Sequence, residues 1–254
     1  MPNWLEGRHA LITGGGSGIG ASCATHLNAG GAKVTVAGRR PEKLDFIRQI
    51  VGGHAVQCDV TDRAQIAGAF ADARAAHGPI EILIVNAGIG DSAPFGKLSR
   101  DSWDRMLAVN LTAAFDCVQA ALPDLLASEQ GRIIFIASVA GLKGVPYAAH
   151  YAASKHGLLG LMRSLAAEFA KTNLTVNAIC PGFVDTQMTM DSAGRISSAS
   201  GKSFEESMNA LAGMNASGRL VHPDTIGSMV LHLCLPQSCD VNGSAIPVDG
   251  GTTA

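Results

Sequence analysis

The chain has 254 residues, 47% hydrophobic and 16% charged, with 30 glycines and a net charge of −2, a balance that suits one α/β domain over residues 1–254 built on a buried sheet. A pI near 6.4 and no basic run longer than Arg39-Arg40 exclude nucleic acid as a partner, while the lack of a signal-like N-terminus or a bilayer-length apolar run argues against a membrane and predicts a cytoplasmic protein. Six scattered cysteines without C-x-x-C read as reduced core residues, and eight histidines without ligand spacing predict no metal site.

In chain order, short apolar or β-branched runs at His9–Thr13, Lys33–Ala37, Ala55–Cys58, Ile82–Asn86, Arg132–Ala137, Thr175–Ile179 and Ala245–Val248 predict seven strands. Six amphipathic helices lie between them, with starts marked by Pro41, Ser99 and Pro223-Asp224. Alternating strand and helix units require crossovers that return to the same edge direction, so the fold class is α/β: a doubly wound, mostly parallel sheet with helices on both faces. The stretch from Gly182 to about Gly218, rich in Ser, Gly and Met, predicts a long irregular segment acting as a substrate lid.

After the first strand, Thr13-Gly-Gly-Gly-Ser17-Gly18-Ile19-Gly20 leads into a helix. Gly14 permits the sharp turn, Gly18 lets the backbone approach a pyrophosphate, and Gly20 lets the helix pack closely, with the helix N-terminus supplying free N–H groups. At the end of the second strand an Asp or Glu would bind ribose hydroxyls, but this chain has Gly38-Arg39-Arg40. Arginine there accepts a 2'-phosphate, which favours NADP(H) over NAD(H).

Tyr151 and Lys155 stand four residues apart in a helical segment and so share a face, where an ammonium lowers the phenol's pKa toward the range of a working acid/base. Taken separately, Ser138 reads better as a hydroxyl capping the loop after the fifth strand and Asn110 as a polar residue bending a long helix, with a strand-end turn the alternative for Asn86-Ala87-Gly88. Jointly, Thr13-Gly14, Gly18, Gly20, Asn86-Ala87-Gly88, Asn110, Ser138, Tyr151, Lys155 and Pro181-Gly182 occur in an order and spacing that resembles the short-chain dehydrogenase/reductase family, in its compact single-domain subtype. The resemblance covers nearly the whole chain.

That resemblance implies a Rossmann fold and a nicotinamide-dependent oxidoreductase that interconverts a secondary alcohol and a ketone. It implies Tyr151 as proton donor or acceptor, Ser138 as the carbonyl-polarising hydroxyl, Lys155 as ribose binder and Asn110 as a water-holding relay. It also implies Asp59 and Val60 beside adenine, Asn86 to Gly88 on the adenosine side, and Pro181, Gly182, Val184 and Thr186 along the nicotinamide, with Thr186 on the carboxamide. Ala148 stands where the enoyl reductases of the superfamily carry their tyrosine, which disfavours carbon–carbon double-bond reduction. A β-ketoacyl-thioester reductase or 3-hydroxyacyl dehydrogenase is the alternative substrate reading; a non-enzymatic dinucleotide sensor is the alternative of another class, and an intact acid/base set argues against it. The substrate is a small carbonyl or alcohol compound, walled by an apolar set including Phe183, Met188, Met190, Phe204, Met208 and Met214, with His150, Lys143, Arg195 and Lys202 as polar candidates. The terminal strand resembles one that joins subunits in the family, so a homotetramer or homodimer is expected.

Overall fold

In the computed structural model, which describes residues 3–254, the seven runs form one parallel sheet: β1 (His9–Thr13), β2 (Lys33–Gly38), β3 (His54–Gln57), β4 (Ile82–Val85), β5 (Arg132–Ile136), β6 (Thr175–Pro181) and β7 (Ala245–Val248). Met1 and Pro2 of the N-terminal segment lie outside the described residues. The spatial order is β3-β2-β1-β4-β5-β6-β7, and every pairing is parallel rather than mostly so. The chain therefore leaves β1 in one direction and resumes at β4 in the other, which opens a crevice between them at the carboxyl ends of the strands.

Period-two alternation explains why the central strands are apolar on both faces. Ala10, Ile12, Ile82, Ile84, Ile134 and Ile136 face one layer, made by α1 (Gly18–Ala29), α2 (Pro41–Val51) and α9 (Pro223–Cys234). Leu11, Leu83, Val85, Ile133 and Phe135 face the other, made by α3 (Arg63–His77), α5 (Ala113–Ala127) and α6 (Ala149–Glu168). Helix starts follow local chemistry: Pro41 and Pro223 occupy first-turn positions, and Ser99 caps α4 (Arg100–Leu107) by accepting from Ser102 N at 3.1 Å. Asp62 caps α3, an assignment the sequence reading did not make.

Three expectations need correction. The segment after β6 is not irregular: it carries α7 (Gln187–Ser200) and α8 (Phe204–Ala212), the latter opened by a reciprocal Ser203/Glu206 cap. Serine-rich sequence disfavours helix because hydroxyls compete for backbone, but here Ser192, Ser198 and Ser200 bond the carbonyls of Met188, Gly194 and Ile196 four residues back, inside the helix. Secondly, α4 and α5 run on through a π turn (Ala108–Thr112) as one helix, Arg100–Ala127, whose apolar window meets the length and composition test for a bilayer span. Its buried residues, Met106, Ala113, Ala114, Cys117, Val118, Ala121 and Leu125, pack within the fold. Thirdly, Cys239 is exposed, whereas the other five free cysteines are buried as expected.

Candidate active site

The glycine loop fills the crevice edge between β1 and β4. Gly14 has φ +65°, a backbone state that favours glycine. Gly20 is required for a different reason than close packing on the sheet: a methyl group there would overlap the Gly14 carbonyl and stand 2.6 Å from Asn86 Nδ2. Helix α1 thus packs on its own loop. Ser17 precedes α1 in extended backbone and makes no side-chain cap, and the first turn, which holds Ile19, carries no acidic residue. Free N–H groups and an uncompensated positive helix end suit a phosphate.

Arg40, the second arginine of the pair, reaches the loop: its Nη2 donates to Ser17 Oγ at 3.1 Å. Arg39 lies near enough to Asp59 to help lower that carboxyl's pKa, although hydrogen bonds from the Thr61 amide and hydroxyl are the larger cause. Asp59 is thereby committed to its own turn, with Val60 buried beside it. Asn86 is similarly committed, donating to the Thr13 and Gly14 carbonyls at 2.9 and 3.1 Å, while Thr13 Oγ1 accepts from the Asn86 and Ala87 amides. The two strand ends of the crevice are clamped together by these bonds.

The acid/base candidates converge beyond β5. Ser138 begins a 3-10 turn (Val139–Gly141), with Oγ accepting from Ala140 N at 3.1 Å. That bond fixes the oxygen and leaves the hydroxyl proton free to donate, so the capping and polarising readings coexist. Tyr151 lies in the first turn of α6, and Lys155 Nζ stands 5.7 Å from its ring centroid. Lys155 is 5% exposed and donates to the Ile136 carbonyl at 2.9 Å. Burial lowers its pKa from 10.5 to about 8.

The phenol departs from expectation. Burial raises the Tyr151 pKa, the Ser138 hydroxyl opposes that shift, and Lys155 is not among the causes. The ammonium is itself desolvated and turned to Ile136 O, so desolvation of the phenolate outweighs the attraction that spacing alone predicts.

Asn110 sits in the π turn, 2% exposed: the long helix is deformed around this residue. Oδ1 accepts from Ile89 N at 2.8 Å, and Nδ2 donates to Ile89 O and Ser154 Oγ at 3.0 and 3.1 Å. Gly88 lies between Asn110 and Lys155: a methyl group on it would stand 3.3 Å from Asn110 Oδ1 and 3.8 Å from Lys155 Nζ. Ser154, fully buried, closes the set by donating to the Tyr151 carbonyl at 2.7 Å.

Beyond β6, Gly182 follows Pro181 with Asn215 packed over it. Asn215, a residue without a sequence signal, accepts from Phe183 N and donates to Phe183 O and Arg219 O, pinning the start of the segment that follows β6. Val184 pairs with Val221, and Thr186 precedes α7 with its methyl against Gly18. The stretch from Pro181 to Thr186 therefore spans the distance from the end of β6 to the glycine loop. Among the polar substrate candidates, His150 is buried with neither ring nitrogen hydrogen-bonded, and Lys143 donates to Thr252 O at 3.0 Å. A cleft of about 810 Å³ opens between α7 and α8, lined by Met190, Arg195 and Phe204 among others; Ser138 and Tyr151 are not in its walls.

The model of the short chain dehydrogenase family matches residues 8–195. The chain is a short-chain dehydrogenase. Among the relatives of this short-chain dehydrogenase is the 3-oxoacyl-[acyl-carrier-protein] reductase MabA of Mycobacterium bovis, 36% identical over 96% of this chain and 92% of that protein. The 3-oxoacyl-[acyl-carrier-protein] reductase FabG of Thermotoga maritima is 32% identical over 97% and 98%. Among solved structures, a variant actinorhodin polyketide ketoreductase with NADPH superposes with a TM-score of 0.93 at 33% identity, covering 99% of both chains. Levodione reductase does so at 0.92 and 29% identity, covering 97% and 98%. The oxidoreductase class expected from Tyr151, Lys155 and their company is that of the family.

Proposed function

We propose that this short-chain dehydrogenase reduces the β-keto group of an acyl thioester with NADPH, through Tyr151, Ser138 and Lys155. The observation that carries the reading is the convergence of a buried ammonium, a phenol and a hydroxyl with a free proton at the carboxyl end of the sheet, beside an uncapped helix N-terminus. The names of the relatives support the acyl-thioester substrate, and the paired Arg39 and Arg40 support the 2'-phosphate.

A bound NADPH would supply the hydride. Ser138, with its hydroxyl proton free to donate, would hydrogen-bond the carbonyl oxygen and stabilise the negative charge as it develops there. Tyr151 delivers the proton that completes the alcohol. Its raised pKa keeps it protonated at neutral pH, the form a reducing enzyme needs. Lys155 has two N–H groups beyond its bond to Ile136 O, which suit ribose hydroxyls and bring its charge toward the phenolate left after proton transfer. Asn110 holds the β4 loop against α6 with its amide, so a relay water would use the second lone pair of Oδ1 or the main-chain carbonyl. Val60 and the stretch from Asn86 to Gly88 would border the adenosine, and Pro181 to Thr186 the nicotinamide.

We further infer that residues 1–254 act as one domain, with 182–218 as its lid. Free thiols suit a reducing cytoplasm, and the open edge at β7 together with Phe115, 45% exposed on α5, suits a homo-oligomer that light scattering would size. The test of function is NADPH oxidation in the presence of a β-ketoacyl thioester. Tyr151→Phe should reduce turnover by roughly 10²–10⁴-fold while leaving NADPH binding intact; undiminished turnover would remove Tyr151 from the chemistry. Arg39→Ala and Arg40→Ala should each weaken NADPH more than NADH, and equal effects on both would overturn the 2'-phosphate assignment.

A further inference from the structure

One charged side chain of the lid reaches back across the mouth of the site. Arg195, on the third turn of α7, donates from Nη2 to the Gly90 carbonyl at 3.2 Å, and its Nε lies 3.6 Å from Asp91 Oδ1. The same Nη2 bonds Ser192 Oγ at 2.8 Å, which holds the guanidinium against its own helix. Gly90 borders both Met188 and Tyr151: a methyl group on it would stand 3.2 Å from Met188 Sδ and 4.0 Å from the Tyr151 ring. The loop carrying Gly90 and Asp91 is braced on its far side by Ala93 N donating to the Tyr147 carbonyl at 2.8 Å, and Tyr147 holds a left-handed φ of +62° four residues before Tyr151.

We propose that Arg195, acting through Asp91 and the Gly90 carbonyl, is a positioning residue for carbonyl reduction: this clasp seats Met188 on Gly90 and so fixes the wall of the substrate pocket next to Tyr151. The proposal rests on the reading of Tyr151 as the acid/base of a ketone reductase. Methionine is flexible, and Met188 is 41% exposed, so packing alone does not hold it to one position. A charged tie one to two turns further along α7 does. The clasp makes no bond to Ser138, Tyr151 or Lys155, so its loss should disturb substrate seating and leave the proton transfer intact. Both partners are about half exposed, which limits the coupling to about two- to five-fold and makes it sensitive to salt.

The experiment compares the full-length wild type with Arg195→Ala, Asp91→Asn, the double variant and Arg195→Lys, by steady-state kinetics with NADPH and a β-ketoacyl thioester and by amide hydrogen exchange of residues 187–200. Arg195→Ala should raise the KM for the ketone about two- to five-fold with kcat and the KM for NADPH unchanged. The double variant should be no worse than Arg195→Ala, because both changes break one clasp. Arg195→Lys should recover part of the KM, and α7 amides should exchange faster in the alanine variant with the rest of the sheet unaltered. An unchanged KM and exchange in Arg195→Ala, or single effects that multiply in the double variant, would overturn the clasp. A wild type that reduces no ketone would remove the functional reading alone, and hydrogen exchange would then decide whether Arg195 holds the lid.

Discussion

A protonated Lys155 should weaken the folded protein, and replacing it should expose that cost. The residue is 5% exposed, has the Ile136 carbonyl as its hydrogen-bond acceptor, and titrates near 8 instead of 10.5 because burial disfavours its charge. At about 1.4 kcal/mol per tenfold, the charged form costs roughly 3 kcal/mol in the native state. The sign follows from which state releases its proton first. Below pH 8 the amine is charged in both native and unfolded chains and the full penalty applies; between 8 and 10.5 the native chain loses the proton earlier, and the penalty is progressively relieved. Wild-type stability should therefore rise from pH 7 toward pH 10 relative to Lys155→Met. Removing the amine also leaves Ile136 O without its donor, at a cost of about 1–3 kcal/mol, but that term is constant with pH. Thiols without Lys155 among the causes of their shifts, such as Cys58, pushed up to about 11 by burial and the charges of Asp59 and Asp62, titrate alike in both proteins and cancel in the difference. Urea unfolding of cofactor-free protein at matched concentration would measure it. Parallel stability curves for the two proteins across that range would refute the buried-charge argument.

Two further outcomes follow from groups remote from that pair. His9 is 1% exposed, bonds Gly78 O and Thr35 Oγ1, and is lowered by burial to about 4, so it must stay neutral; native stability should fall as pH drops from 6.5 toward 4, by roughly 3 kcal/mol, and His9→Gln should move the acid-unfolding midpoint to lower pH. An unchanged midpoint by circular dichroism would contradict this. Gly20→Ala, which drives a methyl into Gly14 O and toward Asn86 Nδ2, should cost about 1–3 kcal/mol of stability and most of the NADPH affinity, and wild-type values in calorimetry and titration would contradict the close-packing argument.

The sheet was legible because its strands obey simple rules. Buried parallel strands must be apolar on both faces, and the boundaries read from His9, Lys33, Ile82, Arg132, Thr175 and Ala245 coincide with the observed starts, while β3 begins one residue earlier at His54. Motif spacing likewise located the glycine loop and Ser138, Tyr151 and Lys155, since one loop and one helix turn set their relative positions. What escaped were consequences of tertiary contact. Arg40 reaches Ser17, and not its neighbour Arg39, because of the side-chain directions at the entrance to α2. Asn215 matters through a packing contact with Gly182 more than thirty positions away, and no local pattern marks it. The lid helices were hidden because serine is a poor helix former until its hydroxyls turn inward on the helix.

The same physical division separates chemistry from substrate choice. Ser138, Asn110, Ser154 and Lys155 are all buried and hydrogen-bonded to backbone, of the 3-10 turn after β5, the loop after β4, α6 and β5 respectively, so the positions of the proposed catalytic groups are set by the sheet and the elements leaving it and change little when surface residues change. The lid is the reverse. Met188, Met190, Phe204 and Met214 are each between 39% and 50% exposed, a concentration of adaptable apolar surface. An apolar substrate segment covering these side chains would gain binding energy largely independent of the carbonyl being reduced, so substrates differing in acyl length should differ mainly in KM. That separation gives the Arg195 clasp its expected signature: it acts on the adaptable wall, and kcat stays with the rigid set.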